Sequence, residues 1–374
     1  MEPDFEDLRP YRSSEIPAAM ERIVADPAFE GLARYVFPDR SVEEVRRLLR
    51  NITTADQFQS QVMACANRRI LADSVSEFTY DGLEHVPKEG ALFVSNHRDI
   101  VLDSALLQQV FHENGLPTTE ITFGSNLLSS QLLADIGRSN KMFKVLRGGN
   151  RHEFLAHTHF LSGYLRDVVR SGRSIWIAQR NGRTKDGLDA TDQGLIKLFS
   201  LSADGNPVDG FAELHITPVA ISYEIEPCDL LKTREIYLTR RNGSYEKQPG
   251  EDLKSIQTGI RQQKGRVHIS ICRPIAREEL ARLGHLEKGE LHKAIAALID
   301  WRIYSNYKLF DTNYIAHDLR SGKSRFADRY TAAEKARFEA RLQETLFAID
   351  GDKTELREIF LGIYANPVDT AVDA

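Results

Sequence analysis

The sequence predicts an α/β protein: a central mixed, largely parallel sheet flanked by helices, with helical N-terminal and C-terminal extensions. Three observations predict it. Short continuous apolar runs at 91–95 (ALFVS) and 174–178 (SIWIA) read as buried strands. Helix-periodic segments alternate with strand-sized ones through the middle of the chain, the pattern of a parallel sheet. Both ends read as helices. The expected units are therefore a helical region at 1–74, an α/β domain at 75–275 and a helical region at 276–374.

The elements follow in order. Pro17 stands near the start of the first helical segment, PAAMERIVA. Ser41 precedes VEEVRRLLR with Glu44 three residues on, a capping box, and Val42, Val45, Leu48 and Leu49 keep helical spacing. A further helix is expected over 55–71. From 74 the pattern becomes β-rich and breaks at Asp81-Gly82. After the strand at 91–95, a helix is expected over 99–112, a strand at 120–124, short helices, and a strand at 143–146. A long helix over 152–171 leads into the strand at 174–178. A helix at 191–201 and strands at 215–222 and 267–271 follow. The segment 204–210 (DGNPVDG) reads as a loop, and 325–364 as a charged, solvated helical pair.

Composition bounds the function. Hydrophobic residues make up 41% of the 374 and charged residues 28%, enough apolar material for a core and against disorder. The net charge of −5 argues against a globally basic nucleic-acid binder. Cys65, Cys228 and Cys272 form no C-x-x-C pair, so no disulfide framework or zinc ribbon is indicated, and a reducing compartment fits. No run approaches the ~18 apolar residues of a membrane span. The acidic start MEPDFEDLRPYR does not read as a secretory signal. The expected location is the cytoplasm, and contact with a membrane would be from one side.

Several catalytic motifs are missing. The chain has no G-x-S-x-G elbow, no G-x-x-x-x-G-K-[ST] loop and no G-x-G-x-x-G turn. His152-Glu153-x-x-x-His157 is one residue too long for a zinc helix, so these are read as surface or groove histidines.

The informative segment is SNHRDIVLD at 95–103, where a buried strand delivers polar residues at its C-terminal end, the edge at which α/β sheets bind ligands. His97 is the residue here suited to proton transfer near neutral pH. Asp99 and Asp103, four apart, share one face if the helix starts at Asp99, and either could accept a hydrogen bond from one ring nitrogen and leave the other for a hydroxyl proton. The bland alternative makes Asp99 an N-cap and His97 a loop residue. Two basic loops leave other strands. One holds Arg138, Lys141, Lys144, Arg147 and Arg151; the other is WIAQRNGRTKDG at 176–187. Guanidinium forks match phosphate oxygens. A base with two cationic loops and no nucleophile motif suggests direct attack by an activated alcohol on a bound electrophile.

These blocks resemble the PlsC-like glycerol-3-phosphate and 1-acylglycerol-3-phosphate acyltransferase superfamily. Its ordered blocks, H-x-x-x-x-D, a block ending in Arg, a Glu-Gly-x-Arg-like block and an apolar-Pro block, correspond to SNHRDIVLD, MFKVLRGG, IWIAQRNGRTKDG and HITPVAISY over 91–223. The resemblance implies that His97 is the base, that an Asp orients it, and that Arg147, Arg183, Lys185, Arg180, Asn181 and Gly182 hold the acceptor phosphate. Two departures stand out. The family's Asp position, 102, is Leu, which leaves Asp103 one residue late and favoured, with Asp99 as the alternative. Asn181 occupies the apparent Glu position.

The reaction so implied is transfer of a fatty acyl group from acyl-CoA or acyl carrier protein to a hydroxyl of glycerol 3-phosphate or lysophosphatidate, in phospholipid synthesis. The thioester is a co-substrate, and neither a cofactor nor a metal is expected. Peripheral contact at the inner face of the membrane follows from the lipid substrate, and no nucleic-acid partner is expected. The alternatives are a catalytically weakened lipid- or phosphate-binding relative and a phosphate-ester hydrolase.

Overall fold

The computed structural model describes residue 6 and residues 9–125, 130–145 and 151–373, with the side chains of 151–154, 372 and 373 outside the description. The chain begins with helices α1 (Ile16–Ala25), α2 (Phe29–Val36), α3 (Val42–Arg50), α4 (Ala55–Phe58) and α5 (Ala64–Ser74), the last two joined by a π-helical turn at Gln59–Met63. The capping box at Ser41 is formed in both directions: Glu44 N–H donates to Ser41 Oγ at 3.3 Å, and Ser41 N–H donates to Glu44 Oε2 at 2.8 Å. These helices bury Ile16, Met20, Ile23, Phe29, Val45, Leu49 and Phe58 in a small core against which Leu132 and Ile136 also pack.

The sheet follows. Its strands are β1 (Glu77–Asp81), β2 (Leu92–Ser95), β3 (Glu120–Gly124), β4 (Met142–Val145), β5 (Ile175–Ala178), β6 (Thr217–Tyr223) and β7 (Arg266–Ile271). Their order is β1-β7-β6-β2-β5-β3-β4. Every pairing is parallel except β6 with β7. The sheet is thus mixed and largely parallel, as the alternation of strands and helices indicates. Between the strands lie α6 (Leu102–Glu113), α7 (Gln131–Ser139), α8 (Arg151–Arg170), α9 (Gln193–Ser200), α10 (Pro207–Ala212), α11 (Asp229–Asn242) and α12 (Glu251–Arg261).

The period of two along a strand explains the apolar runs. Leu92 and Val94 of β2 and Ile175 and Ile177 of β5 enter the core beneath α8, α9 and the later helix at 288–304. Phe93 and Trp176 point to the opposite core with Leu106, Val110 and Phe111 of α6. Both faces are covered, so neither strand alternates with polar residues. Each large side chain so buried contributes about 1.5–3 kcal/mol.

The chain ends in α13 (Arg277–Leu283), α14 (Lys288–Tyr304), α15 (Asp311–Ser321), α16 (Ala332–Ala348) and α17 (Lys353–Asp373). Here the structure corrects the reading of 325–364 as a solvated pair. Phe338, Leu342 and Leu346 of α16 interlock with Leu356, Ile359, Phe360, Ile363 and Tyr364 of α17, Ile315 of α15 and Tyr237 of α11. The charges of this segment occupy the outer faces, and they masked an i, i+4 apolar stripe. A second correction concerns 204–210. Asn206 accepts from Val208 N–H at 2.8 Å and Pro207 opens α10, so DGNPVDG contains a helix start. The expected helix over 99–112 begins three residues later, at Leu102.

Asp300 on α14 accepts from the backbone N–H and the hydroxyl of Thr191, at 2.8 and 2.6 Å. Burial lifts its carboxyl to about 6, against an ordinary 3.8, with the Thr191 bonds opposing the rise. The folded state therefore binds more protons than the unfolded chain between those two values. Stability falls as pH rises through this window and stays lower above it. The penalty is about 2 kcal/mol once partial exposure is allowed for. Asp300→Asn should be more stable than the parent by that amount at pH 8 and equal to it near pH 4, as read by urea unfolding at both values.

Candidate active site

The parallel strands β2, β5 and β6 end at one edge of the sheet, and the segments leaving them form the site. Beyond β2 the chain does not enter α6 at once. Asp99 Oδ1 accepts from the N–H groups of Val101 and Leu102, both at 2.9 Å, making a tight turn before the helix. That turn absorbs the residue by which H-x-x-x-x-D is exceeded and brings Asp103, in the first turn of α6, back to the ring of His97. Asp103 Oδ2 accepts from His97 Nδ1 at 2.9 Å, from Arg98 N–H at 2.6 Å and from Asp99 N–H at 2.9 Å. Asp103 Oδ1 accepts from the Tyr223 hydroxyl, at the end of β6, at 2.8 Å.

Asp103 is fully buried, and His97 is 9% exposed. A carboxylate only accepts, so Nδ1 carries the ring proton and Nε2 of the neutral imidazole carries a lone pair. Trp176 packs edge-on against the ring, with centroids 6.1 Å apart, and its indole N–H donates to Ser95 Oγ at 3.0 Å. Burial and the Asp103 charge hold the Tyr223 hydroxyl well above its usual pKa, so it remains a donor. Tyr223→Phe would leave Asp103 Oδ1 without that bond in a dry site. The expected cost is about 1–3 kcal/mol of stability, read by denaturant unfolding.

The loop after β5 hangs on the loop after β2. Gln179 N–H donates to Ser95 O at 2.8 Å, and Thr184 N–H donates to His97 O at 2.7 Å. Gly182 between them has φ +80°, a left-handed conformation that glycine adopts without strain. Arg183 is buried at 8% exposure, and its Nη1 has no hydrogen-bond partner. Its guanidinium lies by the Cys228 thiol, which burial and the Asp99 charge push up to about 11 against the opposing effect of Arg183. Asp99 and Arg183 therefore share one neighbourhood beside His97.

The other predicted residues are placed differently. Asp99 does not touch the ring; its second oxygen packs against Gly259 of α12, where a Cβ would stand 2.1 Å from that oxygen. Lys185 pairs with Glu235 of α11. Arg180 is half-buried and Asn181 exposed. Arg147 lies outside the described residues, as do the side chains of Arg151, His152 and Glu153. His157, read as a surface or groove histidine, is buried instead, because α8 turns that face into the protein. No group of three or more metal-ligating side chains occurs among the described residues.

Sequence reasoning passed over Arg98. It is 5% exposed and donates to Asp189 Oδ2 from Nε at 3.0 Å and Nη2 at 2.7 Å, and to Glu226 Oε2 from Nη1 at 3.1 Å. Asp189 also accepts from Asn96 Nδ2 at 3.2 Å and from the hydroxyls of Thr184 and Tyr307. Burial opposes the charge of Arg98, but Asp189 and Glu226 outweigh it and hold its pKa well above the ordinary value, and Arg98 in turn holds the Asp189 carboxyl below its own. Its position inside SNHRD was the available signal.

Fold and site together define an α/β protein with a histidine–carboxylate pair and a buried arginine at the C-terminal edge of a parallel sheet. Residues 77–222 match the family model described as acyltransferase. Over these residues the chain is similar to acyltransferases. Among solved structures, it is similar to PlsC, the 1-acyl-sn-glycerophosphate acyltransferase of Thermotoga maritima, at 14% identity and a TM-score of 0.36, over 78% of this chain and 96% of that one. No curated protein matches it in sequence.

Proposed function

We propose that the protein transfers a fatty acyl group from a thioester of CoA or acyl carrier protein to a hydroxyl of glycerol 3-phosphate or lysophosphatidate. His97 Nε2 takes the hydroxyl proton as the oxygen attacks the thioester carbonyl. Asp103 steadies the resulting imidazolium, as the carboxylate of a catalytic triad does. The tetrahedral intermediate collapses with loss of the thiolate, which receives the proton back from His97. The products are the ester and the free thiol. Arg183, with its unpartnered Nη1, supplies a charged donor for the acceptor phosphate; Arg147, Arg180, Asn181, Gly182 and Lys185 complete the proposed set, Lys185 by exchanging Glu235 for phosphate.

The observation that carries this reading is the 2.9 Å contact of His97 Nδ1 with a buried Asp103 that leaves Nε2 for substrate. No helix among the described residues is long and apolar enough to cross a membrane. We place the enzyme in the cytoplasm, with peripheral contact at the inner membrane face where its lipid acceptor and product reside.

Thiol release from long-chain acyl-CoA, measured with and without glycerol 3-phosphate or lysophosphatidate, tests the proposal. Acceptor-dependent thiol release is the expected result. Release of inorganic phosphate, or acyl-lipid binding with no turnover, would overturn it. Flotation with liposomes tests the membrane contact.

A further inference from the structure

Four buried charges stand behind the His97 loop and touch neither His97 nor Asp103 through their side chains. Arg98 meets Asp189 on one side and Glu226 Oε2 on the other. Lys232 Nζ donates to Glu226 Oε1 at 2.5 Å and to the Arg98 carbonyl at 2.7 Å. Glu226 is 4% exposed, and its two oxygens thus hold both the Arg98 side chain and, through Lys232, the Arg98 backbone. Arg98 is the residue between His97 and Asp99. Its own N–H bonds Asp103, so its backbone sets how squarely Asp103 meets the ring.

Glu226 is itself gripped from the C-terminal helices. Its N–H donates to the Tyr364 hydroxyl of α17 at 3.1 Å, and its carbonyl accepts from Gln262 Nε2 at 3.0 Å. The Tyr364 hydroxyl donates to Asp229 Oδ2 at 2.6 Å. Arg341 of α16 clasps the same carboxylate from Nε and Nη2, at 2.6 and 2.7 Å. Between them Cys228 adopts a left-handed φ of 59°, a conformation a non-glycine residue keeps only where its surroundings impose it. Contiguous hydrogen bonds therefore run from α16 and α17 to the 226–229 segment, to Arg98, and to the His97–Asp103 pair.

We infer that Glu226 is a positioning residue for acyl transfer: through Arg98 and Lys232 it fixes the backbone that aligns Asp103 with His97, and the C-terminal helices serve the reaction by fixing Glu226. This rests on the reading of His97 as the base. The charge balance matters as well as the geometry, because two cations and two carboxylates cancel in a dry site, and removing one leaves the others uncompensated.

The experiment compares Glu226→Gln, Glu226→Asp and Tyr364→Phe with the parent in acceptor-dependent thiol release across pH, with the folded fraction of each read by circular dichroism. Glu226→Gln should lower kcat about 10- to 100-fold, the scale of a sub-ångström to 1 Å misplacement of a reacting group. The acid limb of kcat/KM should move to lower pH. Asp103 and Tyr223 are the titratable groups facing the imidazole assembly, and a looser Asp103 contact stabilises imidazolium less. Glu226→Asp should recover part of kcat. Tyr364→Phe leaves the four charges in place and should show a smaller loss with the same direction of shift, so it decides the matter where Glu226→Gln folds poorly. A wild-type kcat per folded molecule, or a reduced kcat with an unmoved limb, overturns the inference. Full activity in His97→Ala would instead overturn the reading on which it rests.

Discussion

Replacing His97 by alanine should lower acyl transfer about 10²–10⁴-fold, the range for loss of a positioned general base, with the fold intact. The intact fold is part of the expectation because of how Asp103 is held. Without the ring, its Oδ2 still accepts from the Arg98 and Asp99 N–H groups and its Oδ1 from Tyr223. The carboxylate therefore keeps three donors, and the turn into α6 keeps its anchor. The ring itself packs on Trp176, so a modest loss of packing is the structural cost. The substrate hydroxyl, by contrast, loses the lone pair that removes its proton, and an alcohol near neutral pH is a poor nucleophile without one. Thiol release per folded molecule, beside the circular dichroism spectrum of the same sample, separates the two effects. Turnover near the parent's in a folded variant would reject His97 as the base.

The sheet and the site differ in how much of each could be read from the residues. The buried strands announced themselves because both their faces are covered, so that 91–95 and 174–178 are unbroken apolar runs. The His97 block was visible for a related reason: polar residues directly after such a strand have few structural uses. What escaped notice is non-local. Glu226 and Asp189 are single acids in loops, 128 and 91 positions from their partner Arg98, and no local period marks them. Tyr223 was hidden because a tyrosine ending a strand reads as core. The helices at 332–348 and 353–373 were misread because dense charge on the outer face obscured a stripe of Phe and Leu. In each case the missing information was which distant surface the residue faces, and spacing along the chain does not encode it.

Asp103→Asn gives the second large effect, and the hydrogen bonds specify its mechanism. In a Ser-His-Asp triad, an amide in place of the carboxylate can turn its NH2 to the histidine and impose the wrong tautomer, at a cost of about 10⁴-fold. Here that rotation is blocked. Two backbone N–H groups converge on the same oxygen that meets His97 Nδ1, so an NH2 at that point would face Arg98 N–H and Asp99 N–H donor to donor. The Asn carbonyl must take the Oδ2 position, which keeps the His97 proton on Nδ1. Its NH2 then faces the Tyr223 hydroxyl, which can turn to accept. What the variant loses is charge: a neutral amide no longer stabilises the imidazolium formed when Nε2 takes the proton. The expected loss is about 10²–10³-fold in kcat, below the triad value. Asp103→Ala should do more, because it strands two buried backbone donors at about 1–3 kcal/mol each and loosens the turn that seats His97. The order parent, Asn, Ala in both kcat and unfolding free energy is the measurement. A loss of about 10⁴-fold in the Asn variant, the triad value, would show that the tautomer is lost after all and that the backbone donors do not hold the amide.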